Sequence, residues 1–174
     1  MLNNFLNKEN KYKKYIPILI IFIASIFICI PLLNSKIDML YDDGIQHICR
    51  LMGTEDSVKE GGLFFPIMSN FANEFGYSWN IFYSPITSYI PLLFRILNFS
   101  FTNCIKIFMF FVTFLSGLSM YFFVNQITKN KKIAVIASLV YIFAPYRFTD
   151  MYMRNALSEL TSFIFIPLIF VRNI

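Results

Sequence analysis

Charged residues are scarce in this chain of 174 residues. Asp, Glu, Lys and Arg together make up 14% of the sequence, whereas apolar residues make up 57%. With a mean hydropathy of +0.59, this composition excludes an ordinary soluble domain. The net charge of +5 does not indicate a nucleic-acid partner, because most lysines form two groups that border apolar runs.

Cysteine, histidine and glycine are also few. The three cysteines fall in or beside apolar stretches without a CxxC motif, so neither a disulfide framework nor a zinc site is indicated. There is one histidine, and there is no Gly-rich phosphate loop, no GxSxG motif and no internal repeat. The sequence therefore indicates no metal site and leaves the cofactor open.

Long apolar runs are what the sequence does contain. Residues 15–33 carry no charge, and their number is close to the ~20 that a helix needs to cross the hydrocarbon core. A signal peptide is the competing interpretation, but the run exceeds a usual h-region and no small-x-small cleavage site follows it. We therefore expect a retained membrane helix. Ser116-Gly117 with Ser119, in a later apolar run, predicts a patch where another helix approaches closely.

The lysines predict the topology. Four lysines within residues 1–14 favour a cytoplasmic amino terminus. Residues 85–98 hold Arg95 and Pro91 and are too short for a comfortable crossing, so we expect an interfacial or re-entrant helix there. If this segment does not cross, the lysines at 129–132 become cytoplasmic, as the positive-inside rule prefers.

This choice predicts an all-α, polytopic membrane protein with interfacial helices in its first outer loop. The expected order is a basic cytoplasmic tail (1–14), a first transmembrane helix (15–33), an extracytoplasmic loop (34–102), a second transmembrane helix (103–127), a cytoplasmic loop (128–131), a third transmembrane helix (132–146), an extracytoplasmic loop (147–159) and a fourth, incomplete transmembrane helix (160–174).

Two polar segments are the candidates for chemistry. In the first, DDGIQHICR at 42–50, a helix would place Asp43, His47 and Arg50 on one face. The second, at 145–159, contains further arginines and acids and is expected on the same outer side. A carboxylate would take the proton from an acceptor hydroxyl, and arginine would hold a departing phosphate where charge grows in the transition state.

The order and spacing of several motifs resemble a known family. It comprises the bacterial multi-pass membrane proteins labelled "6-pyruvoyl-tetrahydropterin synthase-related", neighbours of the YfhO-type proteins and of the GT-C glycosyltransferases. The resemblance covers about residues 15–170. That label implies no soluble pterin chemistry, since the Cys and His ligands are absent. The motifs are Asp43-x-x-x-His47-x-x-Arg50, Gly61/Gly62…Phe65-Pro66, Phe82-Tyr83-Ser84-Pro85, Ser116-Gly117-x-x-Met120-Tyr121 and Pro145-Tyr146-Arg147-x-x-Asp150-x-Tyr152-x-Arg154-x-Ala156-x-x-Glu159.

The resemblance implies a GT-C-like fold and a lipid-linked sugar donor, a polyprenyl-phosphate sugar. Asp43 becomes the candidate catalytic base with Asp42 second, and His47 and Arg50 would shape the site. The residues expected to contact donor phosphate or sugar are Arg147, Arg154 and Glu159. Relatives have many more helices, so we expect an amino-terminal fragment whose partners are membrane lipids and the remaining helices of a longer protein.

Plainer interpretations stay open beside these. Asp42 and Asp43 are also typical of a solvated turn or a helix N-cap. His47 would then be an ordinary interfacial side chain, Arg147, Arg154 and Lys106 would snorkel to headgroups, and Tyr83 would belong to an interfacial aromatic belt. A non-catalytic membrane subunit, or a transporter or flippase-like protein for lipid-linked polymers, is the alternative function.

Overall fold

The computed structural model describes residues 15–33, 42–62, 67–68 and 71–171. Within these ranges the regular structure is helical, and the only β-type pairing is an isolated bridge between Met68 and Tyr77. The expected all-α class is therefore confirmed. The predicted basic tail at 1–14 and the Phe65-Pro66 motif lie outside the described residues.

The helices follow one another closely along the chain. In order they are α1 (Ile16–Cys29) with a 3-10 turn (Ile30–Leu33), α2 (Gly44–Lys59), α3 (Trp79–Phe82), α4 (Ile86–Arg95), α5 (Phe101–Thr128), α6 (Lys131–Ile142), α7 (Pro145–Phe148), a π-helical stretch (Thr149–Arg154) and α8 (Leu157–Val171).

Two of these helices are long and apolar enough to cross a membrane. They are α1 with its 3-10 turn, 18 residues in all, and α5 with 28 residues. A third candidate is α6 together with Pro145–Arg154, if a bend of 45° between them is accepted within one span. These helices confirm the expected membrane association, whereas the predicted sidedness of the loops stays a prediction.

The third apolar run differs in detail from its predicted bounds of 132–146. α6 ends at Ile142, and Ala144 takes an extended conformation (ψ 132°) before Pro145. The physical reason is the proline ring, which disfavours helical backbone in the residue before it. The chain then returns to helix over residues 145–154, part of the stretch that the sequence predicted as a loop.

α5 is the central helix, with α1, α2, α4, α6 and α8 packed around it. A Cβ built on Gly117 would stand 2.6 Å from Ile21 Cγ2 of α1 and 3.1 Å from Ile142 Cγ2 of α6. Ser116 and Ser119 are buried beside it, and each donates a hydrogen bond to a carbonyl of its own helix. The predicted close approach of another helix at this small-residue patch is confirmed.

α2 and α4 form a second layer on α5, joined by one charged pair. Arg95 Nε donates to Glu55 Oε2 at 3.1 Å, and its Nη2 donates to Glu55 Oε1 at 3.3 Å. Arg95 Nη1 also donates to the carbonyl of Phe99 at 2.6 Å. This arrangement fixes α2, which contains the first candidate segment, against the bundle.

Candidate functional site

The two candidate acids stand at the start of α2. Asp42 is exposed and has a φ of 43°, in the left-handed region that Asp tolerates better than most residues. Asp43 is half-buried and occupies the N-cap position, although its side chain makes no capping hydrogen bond. Asp43 therefore has the predicted N-cap position, but its carboxylate does not accept a hydrogen bond from a backbone amide of the first turn of α2.

His47 and Arg50 follow Asp43 on successive turns of α2 and are buried, with 4% and 1% of their surfaces exposed. Arg50 Nη1 lies 3.4 Å from His47 Nδ1. Its Nη2 donates to the Ser84 carbonyl at 3.5 Å, while Nε is buried without a hydrogen-bond partner among the described residues. The interpretation of His47 as an ordinary interfacial side chain does not fit this burial.

Tyr83 links this cluster to the second polar segment. The Arg50 guanidinium carbon lies 4.0 Å from the centroid of the Tyr83 ring, a favourable distance for a cation–π contact. The Tyr83 hydroxyl lies 3.4 Å from His47 Nε2 and accepts a hydrogen bond from the Ser158 amide at 3.3 Å. Sequence reasoning missed this role, because Tyr83 is 36 positions from His47 and no spacing rule connects them.

Burial determines the protonation of the α2 cluster. Desolvation, followed by the positive charge of Arg50, lowers the pKa of His47 from 6.5 to about 4, against a smaller raising effect from a hydrogen bond with the Asn155 backbone. Burial also lowers the pKa of Arg50 to about 10. At neutral pH the imidazole is therefore neutral and the guanidinium is charged.

The second segment contains a closed network of charges around Arg154. Arg154 Nη1 donates to Asp150 Oδ1 at 2.8 Å and to Glu159 Oε2 at 2.9 Å, and Nη2 donates to Glu159 Oε1 at 2.8 Å. The Tyr146 hydroxyl donates to Glu159 Oε2 at 2.6 Å. Arg154 and Glu159, both predicted as ligand contacts, are thus paired with each other.

Arg147 is buried apart from this network. Only 2% of its surface is exposed, and its Nε, Nη1 and Nη2 have no hydrogen-bond partner among the described residues. The guanidinium lies 4.7 Å from the Phe163 ring centroid and 5.8 Å from that of Tyr141. Arg147 is therefore enclosed between α6 and α8. The snorkelling interpretation required its guanidinium to extend towards solvent, and it does not.

The two polar segments meet at the π-helical stretch. The backbone amide of Asp43 donates to the carbonyl of Arg154 at 3.3 Å. Asn155, the next residue, is fully buried in a left-handed conformation with φ 52°, and the hydroxyl of Tyr152 donates to the Ile28 carbonyl. The structure thus brings the start of α2 beside Arg154, while Arg147 contacts aromatic rings of α6 and α8.

In the described part of the chain, no group of three or more His, Cys, Asp or Glu side chains is arranged to hold an ion. The carboxylates of Asp150 and Glu159 are close enough to share Arg154. The positive charge that both carboxylates contact is the guanidinium of Arg154.

The comparisons with known proteins include a distant relative. Over 173 residues the chain is 25% identical to a protein described as "Uncharacterized protein" from Lactococcus lactis subsp. cremoris (strain MG1363). The match covers 97% of this chain and 27% of that protein, so the chain spans about a quarter of the length of its curated relative. No family model and no solved structure matches the chain.

Proposed function

We propose that the chain forms part of a GT-C-like glycosyltransferase of the bacterial cytoplasmic membrane, with its amino terminus in the cytoplasm. It would transfer a sugar from a polyprenyl-phosphate donor to an extracytoplasmic acceptor. The observation that supports this most directly is the backbone hydrogen bond from Asp43 to Arg154, because it joins the acidic segment to the second polar segment.

Asp43 is the proposed base, with Asp42 as the second candidate. The acceptor hydroxyl oxygen attacks the anomeric carbon of the donor sugar with inversion, and the bond from that carbon to the phosphate oxygen breaks. The hydroxyl proton passes to the Asp43 carboxylate, and the electron pair of the broken bond leaves with the lipid phosphate. Asp43 suits this role because its side chain is half-buried and not used in capping the helix.

The arginines and His47 have separate proposed roles in binding the donor and positioning α2. Arg147 has three guanidinium nitrogens without hydrogen-bond partners among the described residues, so it retains donors for a phosphate oxygen where charge develops. Arg154 is already bound by Glu159, which suits the pair for holding the shape of the segment or contacting the sugar. His47 and Arg50 position the start of α2 through Tyr83.

The test is transfer from a labelled donor. Membranes from cells that produce the protein at its natural length are given a radiolabelled polyprenyl-phosphate sugar, and label in the acceptor is counted. Asp43→Asn should reduce transfer by roughly 10²- to 10⁴-fold, the usual contribution of a general base, with membrane insertion unchanged. Asp56→Asn, at an exposed position of the same helix, is the matched control. Equal transfer by the Asp43 variant and the control would remove the proposed role.

The pairing of Arg154 with Glu159 and Asp150 favours a second candidate, a non-catalytic subunit or flippase-like protein. In that case the network would be purely structural, and the lipid would be bound and moved without chemistry. The same labelled donor separates the two functions. Movement of the intact donor across the membrane of a sealed vesicle, without any new glycosidic bond, would support the non-catalytic function and contradict sugar transfer.

A further inference from the structure

Lys106 of α5 is buried, and no described residue places a counter-charge in contact with it. Only 9% of its surface is exposed, and its Nζ has no hydrogen-bond partner among the residues that the structure describes. Leaving a buried ammonium without acceptors is costly. Among the described residues no group accepts from this ammonium, and a lipid headgroup, the partner expected from the sequence, would supply such an acceptor.

The surroundings of Lys106 have the shape of a lipid site. Two adjoining grooves between α1 and α5 share Lys106, with volumes of about 240 Å³ and 260 Å³. The first continues along Ile26, Ile30 and Phe110 towards the middle of both helices, and it is almost wholly apolar. The second opens at Asn103 near the amino end of α5. Lys106 stands where the grooves join.

The length of α5 places Lys106 near the edge of the hydrocarbon core, within reach of a lipid phosphate for a lysine side chain. α5 has 28 residues, which at 1.5 Å per residue is about 42 Å, against a hydrocarbon core of about 30 Å. Each end therefore extends roughly 6 Å beyond the core if the helix is centred and upright. Lys106 is the sixth residue of α5 and lies ~7.5 Å from its first residue, at the boundary between headgroups and acyl chains.

We propose that this cleft between α1 and α5 binds an anionic glycerophospholipid of the surrounding bilayer. The Lys106 ammonium would donate to the lipid phosphate, with an acyl chain in the groove at Ile26, Ile30 and Phe110. A lipid without a headgroup amine fits best, because among the described residues no acid lines either groove.

The bulk bilayer is the source that the geometry favours. Ile30 and Leu33, which line the first groove, are 47% and 78% exposed on the outside of the described bundle. Within the described bundle the cleft is thus open to the most abundant lipids, which would occupy it by mass action. None of the residues proposed for sugar transfer lines it, so this site is independent of that function.

The experiment compares lipid retained by purified protein. Wild type, Lys106→Met, Lys106→Arg and Lys129→Met are extracted in mild detergent, and bound lipid is identified by native mass spectrometry. Lys129 is an exposed lysine at the other end of α5 and serves as the control for lost charge. We expect wild type, the Arg variant and the Lys129 variant to retain one phosphatidylglycerol-type lipid. Lys106→Met should retain it at least about tenfold less, the loss of one charge-assisted hydrogen bond.

Three results would overturn the proposal: wild type without lipid, equal retention by Lys106→Met, or retention of polyprenyl phosphate alone. If Lys106→Met fails to fold, wild type and Lys106→Arg still decide the question. Both should melt at a higher temperature in phosphatidylcholine vesicles that contain phosphatidylglycerol than in phosphatidylcholine alone. Identical melting in the two vesicles would contradict lipid binding.

Discussion

The guanidinium of Arg50 lies over the ring of Tyr83, with 4.0 Å between the guanidinium carbon and the ring centroid. Since the hydroxyl of the same tyrosine contacts His47 and the Ser158 amide, one aromatic side chain connects the buried face of α2 to the start of α8. The position of the Asp43 end of α2 therefore depends on Tyr83, although Tyr83 belongs to neither helix.

Replacement of Tyr83 should separate its two contacts. Tyr83→Phe keeps the ring over Arg50 and loses the hydroxyl contacts, so the free energy of unfolding should fall by about 1 kcal/mol. Tyr83→Leu also loses the cation–π contact and should cost roughly 1–2 kcal/mol more. Unfolding by SDS in mixed micelles measures both. Equal losses in the two variants would contradict a contribution from the ring.

His47 can be titrated directly because it is the single histidine of the chain. Its imidazole should titrate near pH 4, since burial and the charge of Arg50 lower its pKa from 6.5 to about 4. The measurement is ¹⁵N NMR of histidine-labelled protein in micelles. Arg50→Gln, which removes the neighbouring charge, should move the midpoint upward. A wild-type midpoint near 6.5 would show that the imidazole is not enclosed.

The same shift predicts how stability depends on pH. A histidine whose folded pKa is depressed contributes stability that is present above pH 6.5 and is lost as the pH falls towards 4. Between pH 7 and pH 5 this loss amounts to about 2 kcal/mol. His47→Asn should lack this part of the pH dependence. Parallel curves for wild type and variant would contradict it.

The sequence predicts the local arrangement of the α2 residues but not their contacts with distant parts of the chain. The spacing of Asp43, His47 and Arg50 anticipates their common helix, because i, i+4 and i+7 positions follow from helical geometry alone. Tyr83 and the fold-back of Arg154 onto Asp43 are not predictable in this way. They depend on how α2, α4 and α8 pack around α5, and no local pattern encodes such contacts between distant parts of the chain.

The pair formed by Glu55 and Arg95 should contribute measurably to the packing of α2 on α4. The side chains are 15% and 26% exposed, so solvent screens them only partly, and the two nitrogens contact both carboxylate oxygens. Arg95→Lys loses this paired geometry and should lower the free energy of unfolding by about 1 kcal/mol. Lys59→Gln removes the more exposed partner of Glu55 and should change it by less than about 0.5 kcal/mol.

Gly117 should tolerate no larger residue. Gly117→Ala places a methyl group 2.6 Å from Ile21 Cγ2, and such overpacking usually costs about 1–3 kcal/mol. Ile21→Ala removes that methyl group, so the double variant should be less destabilised than the sum of the single variants. If the losses in free energy of unfolding, measured in SDS, were additive, Gly117 of α5 and Ile21 of α1 would not be in contact.

The third apolar run shows where a hydropathy pattern is insufficient. It correctly indicates apolar helix near 132–146, but hydropathy does not register the break that Pro145 imposes on Ala144. Nor does it anticipate that the polar residues after the break stay helical. Asp150 is fully buried there because Arg154 binds its carboxylate, a pairing that becomes visible only once both residues share a helical turn.

Arg147 offers the clearest separation of stability from function. Its guanidinium is buried without hydrogen-bond partners among the described residues. The desolvation cost of such a charge is not repaid by hydrogen bonds, so an apolar side chain of similar size should be tolerated as well or better. Arg147→Met should therefore unfold at the same or a higher SDS concentration. Arg154→Met, in contrast, leaves the buried Asp150 without its ion-pair partner and should be destabilised.

If Arg147 binds the donor phosphate, its Met variant will also lose sugar transfer while keeping its fold. A strongly destabilised Arg147→Met would mean that the guanidinium is satisfied within the protein, which leaves no donor for a phosphate.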